Sequence, residues 1–197
     1  MATIIWIDIE TTGLNPQRHA MVQVAGIVEV DGVMGERWNL RMRPDINAEI
    51  DDTALAINGL TREKMAEHPY SAAKGCAMLR GILSKYERYI IAGWRVAFDV
   101  RFLCALFEMH GGFSDFDVQR SLYPVLDVAP MAVAYLAEIN ALQTVAPFNL
   151  GSVADYLRVM PIGELHDAET DVRLTREVYR ALLRSWGHTP DTTRGGQ

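Results

Sequence analysis

The sequence predicts an α/β fold with a mixed central sheet: a three-strand antiparallel meander, then short parallel strands alternating with helices that cover its faces. Three observations predict it. Ile4-Ile5-Trp6-Ile7 is an apolar, isoleucine-rich run that suits a central strand buried on both faces. Asp31-Gly32, set between Val30 and Val33, is a two-residue hairpin signal. Beyond Pro44 the pattern changes to helical periods interrupted by short apolar runs.

The elements follow in order. After the first strand, Asn15-Pro16 marks a turn. Met21 to Val30 reads as the second strand and Gly35 to Arg43 as the third, ended by Pro44. Asp45 to Tyr70 reads as loop and short helices, with Asn58-Gly59 as a tight turn. Ser71 to Tyr86 reads as a helix, Tyr89 to Gly93 as a short buried strand, and Ala97 to His110 as a helix stopped by Gly111-Gly112. Tyr123 to Val128 is a short strand candidate, followed by helices over Met131 to Asn140 and Gly151 to Val159. Pro161 and Gly163 break the chain before a last helix from Asp167 to Trp186. Residues 188–197 are polar and are expected to be a disordered tail, leaving one domain over residues 1–187.

Composition narrows the class. A chain of 197 residues that is 49% hydrophobic carries a real core. A net charge of −6 argues against nonspecific coating of nucleic acid, though not against an enzyme that grips one chain end. Positive charge comes mostly from arginine, with Lys64, Lys74 and Lys85 the only lysines. Cys76 and Cys104 are read as two buried free thiols. No apolar run is long enough to span a bilayer, and Asp8 and Glu10 come too early for a secretion signal, so a cytoplasmic location is expected.

Chemistry begins where the first strand ends. Asp8 and Glu10 are two residues apart, so on a strand they share a face. Two carboxylates side by side in a low-dielectric setting repel each other, and a hard divalent cation relieves that repulsion. The plain alternative is a strand that stops at Asp8 with both acids in water. Asp99 then falls on the apolar face of its helix, among Phe102, Leu103 and Leu106. Asp171 repeats this in the last helix, flanked by Leu174, Val178 and Leu182, with Arg173, Arg176, Arg180 and Arg184 opposite as an expected solvated stripe. Each aspartate alone could be a residue favoured near a helix N-terminus. Four acids that can converge on one spot are harder to explain as solvated charge. Asp167 suits an N-cap, and His166 beside it suits a general base near neutral pH. His19, His68, His110 and His188 read as ordinary surface histidines.

These residues, in this order, resemble the DEDD superfamily of 3′-to-5′ exonucleases in its histidine-containing, DnaQ-like branch. The resemblance rests on Asp8-Ile9-Glu10-Thr11-Thr12-Gly13, on Phe98-Asp99, and on His166-Asp167-Ala168-Glu169-Thr170-Asp171, and it spans Thr3 to Trp186. It implies an RNase H-like fold and an exonuclease domain. Asp8, Glu10, Asp99 and Asp171 would hold two divalent ions, Mg²⁺ or Mn²⁺, with Asp99 acting directly or through water. His166 would take the proton of the attacking water, and the product would be a nucleoside 5′-monophosphate. Thr11, Thr12, Gly13, Leu14 and Phe98 would meet the terminal nucleotide. So would Asn58, in a loop Ile57-Asn58-Gly59-Leu60-Thr61 that resembles the one near that nucleotide in relatives. Relatives often carry Asn three residues before the Phe-Asp pair; this chain has Arg95, which could reach a phosphate or cover the edge of the site.

The expected partner is thus the 3′ end of a nucleic acid, with DNA favoured. Two other readings compete: an exoribonuclease trimming RNA 3′ ends, and a proofreading or binding subunit of a polymerase assembly. Gln143 to Phe148 faintly resembles a sliding-clamp peptide but reads better as a loop before a helix.

Overall fold

The computed structural model describes residues 2–111 and 124–187. Gly112, Tyr123, His188 and the 188–197 tail, on which parts of the sequence reading fall, lie outside the described residues.

Six strands form one sheet in the order β4-β3-β2-β1-β5-β6. They are β1 (Thr3–Thr11), β2 (Met21–Val30), β3 (Val33–Arg43), β4 (Tyr70–Ser71), β5 (Ile90–Gly93) and β6 (Val125–Asp127). The first three make the antiparallel meander, and β5 and β6 add in parallel beside β1. Strand β3 begins two residues earlier than the sequence suggests. Asp31 and Gly32 both take positive φ, 50° and 83°, so the turn is as tight as a hairpin allows and Val30 pairs directly with Val33.

Helices α1 (Asp52–Asn58) and α2 (Arg62–Ala66) lie in the long connection after β3. Then come α3 (Ala72–Leu83), α4 (Ala97–His110), α5 (Val128–Glu138), α6 (Leu150–Tyr156) and α7 (Ala168–Ser185). Helix α5 starts three residues before the predicted Met131. Asp127 ends β6 and at once caps α5 by accepting from the Ala129 N–H, while Pro130 sits in the first turn, where its missing N–H costs nothing. Helix α6 begins at Leu150 because Asn149 caps it, and it stops short of the predicted Val159; Arg158 takes φ 58°.

Strand β1 is the spine of a three-layer packing. Ile5, Ile7 and Ile9 meet Leu79, Phe102, Leu103 and Phe107 of α3 and α4 on one face. Trp6 is buried on the other face with Val172, Leu174, Val178 and Leu182 of α7, and its ring lies 5.1 Å from that of Tyr179. Gly26 lies under the indole of Trp38, where any Cβ would come within 2.1 Å of the ring. The two cysteines are free, Cys76 buried and Cys104 half-buried. The 142–148 stretch is ordinary packing: Val145 is buried and Phe148 stacks on Trp94 at 5.6 Å. Among the described residues no helix is long and apolar enough to cross a membrane.

Two expectations fail. His68 is not on the surface; it is buried and its Nδ1 lies 2.9 Å from the Met42 carbonyl oxygen. Nor is the arginine stripe of α7 a solvated face along its length: Arg184 is exposed as expected, but the other three are partly or fully covered. Arg176 is buried against Glu29 at 2.5 Å, Arg173 pairs with Glu169 one turn back, and Arg180 donates to the Gly32 carbonyl. Helical periodicity placed these arginines opposite the leucines, but β2 and the turn after it supply acceptors on that side, Glu29 and the Gly32 carbonyl, and α7 supplies Glu169 itself. The Arg176–Glu29 pair generates a stability prediction. Arg176→Met leaves the buried Glu29 carboxylate with only the longer Arg180 contact at 3.8 Å and is expected to cost about 3 kcal/mol in denaturant unfolding, and the double variant with Glu29→Leu is expected to recover most of it.

Candidate active site

Parallel neighbours put the carboxyl ends of β1, β5 and β6 together, and a crevice at the carboxyl ends of parallel strands is the usual place for a site. Pairing between β1 and β5 runs only from Ile4–Ile90 to Trp6–Ala92. Beyond it the strands part around Gly93, where a Cβ would sit 2.9 Å from the Ile7 carbonyl oxygen. The freed edge of β1 carries Asp8 and Glu10.

Alternation turns both acids to the α7 face, since Trp6 of the same register packs there. Asp171 stands in the first turn of α7, and one carboxylate oxygen from each of Asp8, Glu10 and Asp171 lies within 4.8 Å of the other two. Asp171 Oδ2 accepts from the His166 backbone N–H at 3.2 Å, while its Oδ1 is buried with no hydrogen-bond partner in the described structure. A converging, all-carboxylate donor set with an orphaned buried oxygen fits a hard divalent cation.

Asp99 reaches the cluster from the opposite layer. It is 4% exposed in the first turn of α4 and takes a backbone hydrogen bond from Ile9, filling the edge that β5 leaves. Its carboxylate lies outside the three-acid group, yet it is the strongest charged neighbour of Asp8. The electrostatics follow from this crowding. Burial, then Asp99, Asp171, Glu10 and Asp167, push Asp8 well above the usual carboxylate range. Burial, then Asp171 and Asp167, push Glu10 up to about 8 against a relieving hydrogen bond from Asn58. Burial raises Asp99 and Asp171 as well, the latter eased by the His166 N–H and charge.

The residues around the acids are placed as follows. His166 is exposed beside Asp171, with its backbone at φ 64°. Thr12 is fully buried; its hydroxyl donates to the Glu49 carbonyl and accepts from the Ala20 N–H. Thr11 bonds the Gly13 carbonyl, and Gly13 lies so close under the His19 ring that a Cβ would come within 2.3 Å of it. Leu14 is 75% exposed beyond this knot. Asn58 donates to the Thr11 carbonyl at 3.1 Å and so holds α1 to the end of β1. Phe98 packs on Phe102 at 5.0 Å.

Arg95 sits at φ 53°, its N–H held by Asp127 Oδ1 at 2.9 Å and its guanidinium 3.5 Å from the Phe148 carbonyl. That left-handed backbone is one that asparagine adopts several-fold more readily than most residues, which gives the Asn of relatives a conformational reason.

The sequence reading missed the groups that hold α7 in place. Gln23 of β2 lies across from Glu10, and Arg41 of β3 lies across from Gln23. Both donate to Asp167 Oδ2, at 3.1 and 2.9 Å, while Asn39 donates to Glu169 at 3.1 Å. A lone glutamine inside the apolar run Met21 to Val30, in cross-strand register with Glu10, was the available signal.

A carboxyl whose folded pKa is raised binds its proton more tightly in the native state, so its ionisation removes stability. For Glu10 that loss sets in as pH rises from about 4.5, the unfolded value, and is complete above about 8. In metal-free protein, Glu10→Gln is therefore expected to raise the melting temperature over wild type, with a larger gain at pH 8 than at pH 5. Added Mn²⁺ is expected to stabilise the wild type more at pH 8 than at pH 5, because the cation competes with those protons. Thermal melts across pH, with and without metal, check both.

Comparison with known proteins bears on the same residues. Residues 5–179 match the RNase_T exonuclease family model. DNA polymerase III PolC-type proteins of Thermotoga petrophila and Thermotoga maritima are each 28% identical over 178 residues, which is 90% of this chain and 12% of the polymerase. The chain thus spans about an eighth of the curated relatives it matches. Among solved structures, E. coli exonuclease I in complex with a dT13 oligonucleotide superposes with TM-score 0.77 at 18% identity, covering 94% of this chain and 41% of that one. Another exonuclease I structure, described as suggesting how processivity is achieved, gives TM-score 0.78 at 19% identity, covering 94% of this chain and 41% of that one. The fold is therefore the RNase H-like one of these exonucleases, and with a family match from residue 5 to residue 179 the chain belongs to the exonuclease family of the DEDD superfamily.

Proposed function

We propose that residues 1–187 form a metal-dependent 3′-to-5′ exonuclease domain that releases nucleoside 5′-monophosphates, with DNA as its substrate. The observation that carries this reading is the convergence of Asp8, Glu10 and Asp171 within 4.8 Å, with an orphaned Asp171 oxygen among them. The three carboxylates would hold Mg²⁺ or Mn²⁺, and Asp99 would add charge from behind Asp8. Bound there, two divalent ions supply a lowered pKa for the attacking water and charge stabilisation for the leaving 3′ oxygen.

The protein's own groups do the rest. His166, exposed at the mouth of the site, would take the water's proton. The Thr11 to Leu14 knot and Asn58 would bracket the last nucleotide, with the exposed Leu14 against its base. Phe98 would line the far wall, and Arg95 would stand at the rim. Stacking against apolar side chains accepts every base, so little sequence preference is expected. DNA is favoured over RNA because the curated relatives matched over 90% of this chain are DNA polymerases. The same relatives support a second reading, in which this domain proofreads as part of a polymerase assembly.

The test is digestion of 5′-labelled single-stranded DNA, 3′-recessed DNA and RNA with Mn²⁺ or with EDTA. A ladder shortening from the 3′ end, abolished by EDTA and fastest on DNA, is expected. Asp8→Asn is expected to abolish the ladder, and His166→Ala to slow it by about 10²–10⁴-fold, the usual contribution of a general base. Folded protein that leaves every 3′ end intact would overturn the reading, and faster loss of RNA would reassign the substrate.

A further inference from the structure

Without a cation, the site is a set of acids that push one another apart. Asp171 must stay within 4.8 Å of Asp8 and Glu10, yet it rides on a different element, the first turn of α7. Something has to hold that helix end against the repulsion. His166, just before the helix, is also kept at φ 64°, a conformation that persists in non-glycine residues only where the surroundings enforce it.

The holding groups come from the sheet. Asp167 divides its carboxylate: Oδ1 caps α7 through the Glu169 N–H at 3.1 Å, and Oδ2 faces the strands. There it accepts from Gln23 Nε2 at 3.1 Å and from Arg41 at 2.9 Å. Gln23 is 3% exposed, and its amide also donates to Asn39 Oδ1 at 3.0 Å, so Asn39 Nδ2 is left to donate to Glu169 Oε2 at 3.1 Å. A carboxylate only accepts, so contact with Asp167 and Glu169 fixes both amides in one orientation. The donors all run from β2 and β3 toward the first turn of α7.

We propose that Gln23 and Arg41 are positioning residues of the site: by gripping Asp167 they hold the 166–171 turn, and with it Asp171 and His166, over Asp8 and Glu10. The proposal rests on the exonuclease reading where activity is the readout, but not where metal binding is. Groups that orient metal-binding residues from outside the ligand set commonly change affinity or turnover by about 10–100-fold when removed.

The decisive variant is Gln23→Met, which keeps volume, removes the donors and leaves the local charge unchanged. Mn²⁺ affinity, measured by titration of the metal-free protein, is expected to weaken about tenfold. On a DNA oligonucleotide kcat is expected to fall about tenfold with KM within about twofold. A lower melting temperature with unchanged Mn²⁺ affinity and kcat would reduce Gln23 to a stabilising residue and overturn the proposal.

Arg41 is half exposed, so its variants serve if Gln23→Met fails to give a cooperative melt. Arg41→Lys, which keeps a donor for Asp167, is expected to bind Mn²⁺ and turn over close to wild type, and Arg41→Met to do both less well. Loss of a cation beside the site should by charge alone tighten Mn²⁺ binding, so tighter binding by Arg41→Met would also overturn the proposal. A wild-type protein inactive on every substrate would sink the exonuclease reading, while the Mn²⁺ arm would still decide the roles of Gln23 and Arg41.

Discussion

Repulsion among crowded, largely buried carboxylates is the constraint on which the rest of the structure depends. Asp8, Glu10 and Asp171 crowd together, Asp99 and Asp167 stand close, and burial works in the same direction as their mutual charge. No fold gains stability from such a group by itself. The chain meets the cost with a hydrophobic frame: Trp6 and the Ile5, Ile7 and Ile9 series lock β1 between two helical layers on either side of its acids. The acids sit toward the end of that frame, so a site that needs carboxylates close together is built on a strand packed on both faces.

Much of this was legible in the sequence because it depends on local periodicity. Alternation put Asp8 and Glu10 on one face, and helical spacing put Asp99 and Asp171 toward the core, whatever the rest of the chain did. The Asp31-Gly32 turn and the Asp167 cap were equally local. What was not legible depends on how elements meet. The stripe of arginines on α7 looked solvated because periodicity says which face is polar but not what covers it. Only the register of β2 and β3 shows that Glu29 waits opposite Arg176. His68 was misplaced for the same reason: its partner is the backbone of Met42, 26 residues away.

The left-handed residues tell a related story. Arg95 and His166 both take positive φ, and each precedes a helix that brings an acid to the site. Such a backbone lets a chain leave a strand or loop and enter a helix within a few residues, which keeps Asp99 and Asp171 in the first turns of α4 and α7. Each is tied down by a carboxylate taking its N–H: Asp127 for Arg95, Asp171 for His166. Strain at these two points is thus matched by hydrogen bonds to acids, and the strained residues frame the site.

The two sides of β1 then explain why Asp99 is separate from the other three. Helix α4 belongs to the layer that packs on Ile5, Ile7 and Ile9, whereas Asp8 and Glu10 face α7. An acid on α4 can approach them only through the plane of the sheet. Parting of β5 from β1 after Trp6 opens that route, and the missing side chain of Gly93 lets the strand turn away against the Ile7 carbonyl. Asp99 enters the gap and takes the Ile9 hydrogen bond that a longer β5 would have made. A side chain at Gly93 would press on the Ile7 carbonyl at the point where β5 departs, so its first effect would fall on the opening that admits Asp99. The acidic cluster therefore requires a sheet that is interrupted at one place, and the short β5 is a condition of the site as much as Asp8 itself.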